Sequence, residues 1–102
     1  MNQMQQMMRQ AQKMQAQILK VQEEMAAHRE EATAGGVVTV GASGKGEILD
    51  VRVNPEALRA EDAEMLQDLI TVAANEALRK AREAVENAMK KVTGGAGLPG
   101  LF

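Results

Sequence analysis

Three cations near the start of the chain are the residues best placed to do chemistry. Arg9, Lys13 and Lys20 stand with no carboxylate before Glu23. On a helix turning ~100° per residue they fall within about 40° of one another. Such a row can face a row of phosphates or other anions and needs no catalytic partner to do so. A second basic stretch, residues 79–91, holds Arg79, Lys80, Arg82, Lys90 and Lys91 against Glu83 and Glu86, a local +3 equal to that of residues 1–22. Residues 47–68 carry −5, so the total of −2 conceals a chain that is basic in two stretches and acidic between them. The bland reading of an outer-face cation is simple solvation. Against it stands the absence of interleaved acids, because a coiled helix that needs only solubility mixes signs.

The rest of the reactive inventory is thin. There is no Cys, Tyr or Trp, one serine and one histidine. Ser43 lies in a glycine-rich turn with no base in evidence, and a serine nucleophile needs one within hydrogen-bond reach. Gly41-Ala42-Ser43-Gly44-Lys45-Gly46 lacks the spacing of a phosphate-binding loop and precedes a strand, so it reads as a hairpin turn. His28 has only Glu24, Glu30 and Glu31 nearby and reads as structural, and Glu61, Asp62 and Glu64 suit the first turn of a helix. The expectations are therefore no enzyme, no cofactor, no metal and no small-molecule substrate. No apolar stretch nears the ~20 residues of a membrane span, and the lack of cysteine fits a cytoplasmic setting.

The cations need a rod to carry them. Met4, Met7, Ala11, Met14, Ile18, Val21, Met25 and His28 recur in steps of three and four, a heptad seam that predicts one helix from about Asn2 to Arg29, roughly 40 Å long. So small a chain cannot cover that rod, so the seam predicts a second subunit. Met1, Met4, Met7 and Met8 gather at its free end and form an adaptable apolar patch or wedge.

After a polar stretch, Gly35-Gly36 suits a tight hairpin turn, and Val37–Val40 and Glu47–Val53 read as strands, with a further strand over Glu31–Ala34. Val38 and Val40 share a face with Leu49, Val51 and Val53. Asn54-Pro55 ends the sheet. A second helix begins near Ala60 to Asp62 and ends by Thr93, its apolar line Leu66, Ile70, Ala73, Ala77, Ala81, Ala84 and Ala88 narrowing from large residues to alanines. The large end suits the sheet and the alanine end a close-packed helix. Arg79 with Glu83, Arg82 with Glu86 and Glu86 with Lys90 are spaced to pair. Residues 1–93 form one α+β domain, with a glycine-rich tail over 94–102.

Several runs together resemble the YbaB/EbfC family of bacterial nucleoid-associated proteins. They are Met7–Gln15, Val37–Val40, Gly44–Leu58, Glu64–Ile70 through Asn75-Glu76-Ala77, and the ending Gly-Leu-Pro-Gly-Leu-Phe. The resemblance covers nearly the whole chain and rests on the order and spacing of the runs. It implies an α-β-β-β-α subunit with a three-stranded antiparallel sheet, a tweezer-like homodimer, and binding of double-stranded DNA with little sequence preference in the nucleoid. It supplies no signature motif for the DNA contact. The choice of Arg9, Lys13 and Lys20, then Arg79, Lys80, Arg82, Lys90 and Lys91, rests on charge placement alone. The rival expectation is a prefoldin-like holdase or coiled-coil adaptor, whose methionine-rich helices bind protein partners.

Overall fold

A helix, three strands and a second helix follow one another along the chain, in the order expected. The computed structural model describes residues 3–94. Helix α1 spans Gln3–Ala26, strands β1, β2 and β3 span Arg29–Ala34, Val38–Ser43 and Ile48–Val53, and helix α2 spans Ala63–Val92. Two single 3-10 turns, Pro55–Ala57 and Ala60–Asp62, lead into α2. The expected tail lies outside the described residues apart from Gly94, and Met1 of the methionine cluster does too.

The strands form an antiparallel meander in the order β1-β2-β3. Gly35 and Gly36 turn the first hairpin with φ of 59° and 70°, values that L side chains seldom adopt. Register aligns Ala32 with Val40 and Val51, and Ala34 with Val38 and Val53, so one face is a small apolar row. Helix α2 lies along that face with Leu66, Ala73, Ala77 and Ala81 buried against it. Val38 and Val40 are completely enclosed, each stabilising the subunit by roughly 1.5–3 kcal/mol.

The opposite face of the sheet is polar. Arg29 reaches over Gly41 to grip Asp50 with two bonds of 2.8 and 2.9 Å, and holds Glu31 at 2.6 Å; Arg52 shares Glu31 at 2.7 Å. A Cβ on Gly41 would meet the Arg29 guanidinium, so a larger residue there would push that side chain off its present crossing. Arg29 draws the carboxyls of Glu31 and Asp50 below their ordinary 4.5 and 3.8. Their contribution to stability is thus complete above those values and is lost as pH falls through the lowered ones. We expect the melting temperature to decline modestly below about pH 4.5, the groups being exposed, and an Arg29→Gln variant to show a shallower decline over the same range.

Three expectations are corrected here. The first helix stops at Ala26, short of Arg29, so His28 is not the last seam position: Arg29 is drawn onto the sheet by Asp50, and Gly44 N–H bonds the His28 carbonyl at 3.0 Å. The second strand runs through Ser43, so Ala42 and Ser43 belong to the sheet and not to the turn. Leu49 and Val51 share a face with the core but remain 51 % and 43 % exposed, because α2 covers β1 and β2 and scarcely reaches β3.

The β2–β3 turn also locks α1 in place. A Cβ on Gly44 would collide with the Met25 carbonyl, a backbone atom that cannot swing aside. Gly44→Ala should therefore cost about 1–3 kcal/mol, read as a lowered urea midpoint. Gly46→Ala meets no atom within reach but must hold a φ of 82° that L side chains seldom adopt, so it should cost about 1–2 kcal/mol through the backbone alone.

Candidate nucleic-acid interface

The interface begins with how α1 leaves the body of the protein. Its lower part packs on α2, with Ile18, Val21 and Met25 half-buried and Val21 and Met25 beside Ala84 and Ala88. This stretch of the seam is covered from within the chain. Above it every residue from Gln3 to Gln17 is exposed, and about 20 Å of helix runs past the end of α2. Met4, Met7 and Met8 are 74, 68 and 58 % exposed there, and Met14 is 36 % exposed, so Met4, Met7, Ala11 and Met14 make the bare portion of the seam. The whole body measures 74 × 21 × 15 Å.

Arg9, Lys13 and Lys20 lie on this rod, exposed, and among the described residues none of them is within ion-pair distance of a carboxylate. Lys20 and Lys91 line one groove between the helices, together with Gln17, Glu24 and Asn87. The structure thus joins the first basic stretch to the end of the second. Lys90 and Arg82 are exposed and make no ion pair among the described residues.

Arg79 and Lys80 are otherwise engaged. Arg79 donates to Glu76 at 3.0 Å and to Glu83 at 2.5 Å, which neutralises it on its own helix and draws the Glu76 carboxyl below its ordinary value. Lys80 donates to the Glu31 carbonyl at 2.5 Å and ties α2 to β1. The expected Arg79–Glu83 pair forms, whereas Arg82–Glu86 and Glu86–Lys90 do not appear among the described ion pairs. Glu76, which sequence spacing did not single out, takes the stronger share of Arg79.

The reactive residues are employed structurally. Ser43 is buried, and its hydroxyl accepts the Lys45 N–H at 3.2 Å. His28 Nε2 lies 2.6 Å from Glu30. No group of three His, Asp or Glu able to hold a metal occurs among the described residues, and no helix there is long and apolar enough to cross a membrane. What the arrangement offers is fixed positive charge on a protruding helix. Lys45, which the counts of basic stretches passed over, is brought to the same pair of helices by the β2–β3 turn; its folded position depends on a contact no local pattern reveals.

Comparison with known proteins places the chain in a family. A nucleoid-associated protein of Alkaliphilus metalliredigens is 52 % identical over 73 residues, 72 % of this chain and 64 % of that protein. One of Desulforamulus reducens is 52 % identical over 73 residues, covering 72 % and 70 %. The matched segment thus spans about two-thirds of these relatives, slightly less in the first. An uncharacterized protein from Helicobacter pylori, 24 % identical, shares the fold with a TM-score of 0.61 over 76 % of this chain and 90 % of its own. The sequence profile of the YbaB/EbfC DNA-binding family matches residues 1–96, and the chain belongs to that family.

Proposed function

We propose that this chain is a nucleoid-associated protein that, as a homodimer, binds double-stranded DNA through its phosphate backbone and alters its conformation by bending, bridging or compaction. It would act in the cytoplasm, at the nucleoid, in DNA organisation, protection and gene regulation. The observation that carries this reading is the row of Arg9, Lys13 and Lys20, exposed and free of described ion pairs, with Arg9 and Lys13 on the part of α1 clear of the body and Lys20 beside Lys91 where α1 meets α2. Phosphate contacts position a protein without reading sequence, and the chain has no Tyr or Trp for stacking on unpaired bases. A second copy is supported by the apolar surface one subunit leaves bare, on the rod at Met4, Met7 and Met14 and on β3 at Leu49 and Val51.

If each of two subunits places three cations on phosphates, about six contacts form, and log affinity should fall against log salt with a slope of roughly −5. Gel shifts on several unrelated duplexes across a salt series measure it, with similar slopes expected for all. A slope near zero would reject the electrostatic grip. The bare methionine tip favours the holdase reading as an alternative. Suppression of a client protein's aggregation without any gel shift would put that reading first.

A further inference from the structure

Two exposed cations, Lys45 and Arg82, sit on the flank of the helix pair away from Lys20 and Lys91. Lys45 is at the tip of the β2–β3 turn, a tightly held loop. Ser43 N–H bonds the Glu47 carbonyl at 2.9 Å, Gly46 N–H the Ser43 carbonyl at 2.9 Å, Gly44 N–H the His28 carbonyl at 3.0 Å and Lys45 N–H the Ser43 hydroxyl at 3.2 Å. Gly44 in turn abuts the end of α1 at Met25. The Lys45 backbone is therefore fixed relative to the rod, and only its side chain has to be ordered on binding.

Lys45 and Arg82 border a groove with Leu78, Val85 and Met89, and Glu86 is the acid that lines it. The methylene stems of the two cations can lie along that apolar floor and hold their charged ends outward. Both residues are exposed, and neither makes an ion pair among the described residues. This groove and the one bordered by Lys20 and Lys91 lie on opposite sides of the α1–α2 contact. Val21, Ala84 and Ala88 line the latter; their chain neighbours Gln22, Val85 and Met89 line the former, and adjacent helix residues point about 100° apart.

A duplex along the Arg9–Lys13–Lys20 row cannot also reach the far flank without wrapping a helix about 10 Å thick. DNA with a persistence length of about 50 nm does not bend so tightly over so few contacts. Resting on the duplex-binding reading above, we propose that Lys45 and Arg82 take phosphates of a second DNA segment, so that the two flanks of a subunit join two duplexes.

The test is recovery of a labelled free duplex by bead-bound duplex in the presence of the full chain. Lys45→Gln with Arg82→Gln should lower recovery at least tenfold, and Lys45→Gln alone should lower it about fivefold while changing gel-shift affinity for a single short duplex less than about twofold. Lys45→Arg with Arg82→Lys should restore recovery, which separates a need for charge from damage to the turn. Wild-type recovery by the Gln double variant would overturn the proposal, since joining would then come from the two rods of a dimer. A wild-type chain that shifts one duplex but recovers no second would overturn it alone, whereas one that shifts no duplex would remove the underlying reading as well.

Discussion

Replacing Arg9, Lys13 and Lys20 together by Gln should weaken duplex binding by roughly a hundredfold at moderate salt. In a dimer the change removes six exposed charge pairs, at about 0.5 kcal/mol each, and the resulting ~3 kcal/mol is about two powers of ten in affinity. The loss should be equal for unrelated sequences, because phosphate contacts carry no base information. The salt slope should flatten toward zero over the same change. Arg79→Gln supplies the control. That guanidinium is already held by Glu76 and Glu83, so its removal should alter affinity less than about twofold. Competition gel shifts on the triple variant and the control decide the matter. A triple variant with wild-type affinity and intact dimer mass would remove these three residues from the interface.

That contrast between Arg79 and Lys20 marks how far the sequence could be read. Alignment of Arg9, Lys13 and Lys20 follows from helix period alone, and so does the line Leu66, Ala73, Ala77 and Ala81 that the structure buries. Whether a given cation stays available depends on which carboxylate its side chain meets. Arg79 had Glu83 at the expected spacing and found Glu76 as well, while Arg82 left Glu86 unpaired among the described residues. Lys80 was drawn to a carbonyl of β1, 49 positions away. Contacts of this kind arise only when distant elements are already in place.

The same distinction explains the end of α1. Helix propensity favours continuing through Ala27 and His28, and nothing local forbids Arg29. The chain turns because Arg29 finds Asp50 across two strands and because the β2–β3 turn docks on the helix end. The open face of β3 has a geometric origin. Alternation along Leu49, Val51 and Val53 states which way the side chains point, not how much they are covered. A helix about 10 Å wide spans two strands spaced about 4.8 Å apart. A three-stranded sheet under one helix must leave its third strand partly bare.

If the two subunits of the proposed homodimer meet through the bare side of β3, Leu49→Gln combined with Val51→Thr should leave a monomer. Both side chains are about half-exposed in the subunit, and Thr keeps the β-branched shape a strand prefers, so the fold should survive with a similar melting curve. In a two-fold dimer each substitution acts twice. Only the exposed half of each side chain is left for the contact, so losing a Leu and a Val methyl on both subunits forfeits about 2–4 kcal/mol, which raises the dimer dissociation constant by about thirtyfold to several hundredfold. Sedimentation equilibrium at micromolar concentration reads the mass directly. The monomer would keep one basic row in place of two, so its salt slope for duplex binding should fall to about half the dimer's value. A double variant that remains dimeric would move the subunit contact to the bare seam of Met4, Met7, Ala11 and Met14. There Met7→Gln with Met14→Gln should break it instead, because those positions recur one heptad apart on the exposed rod.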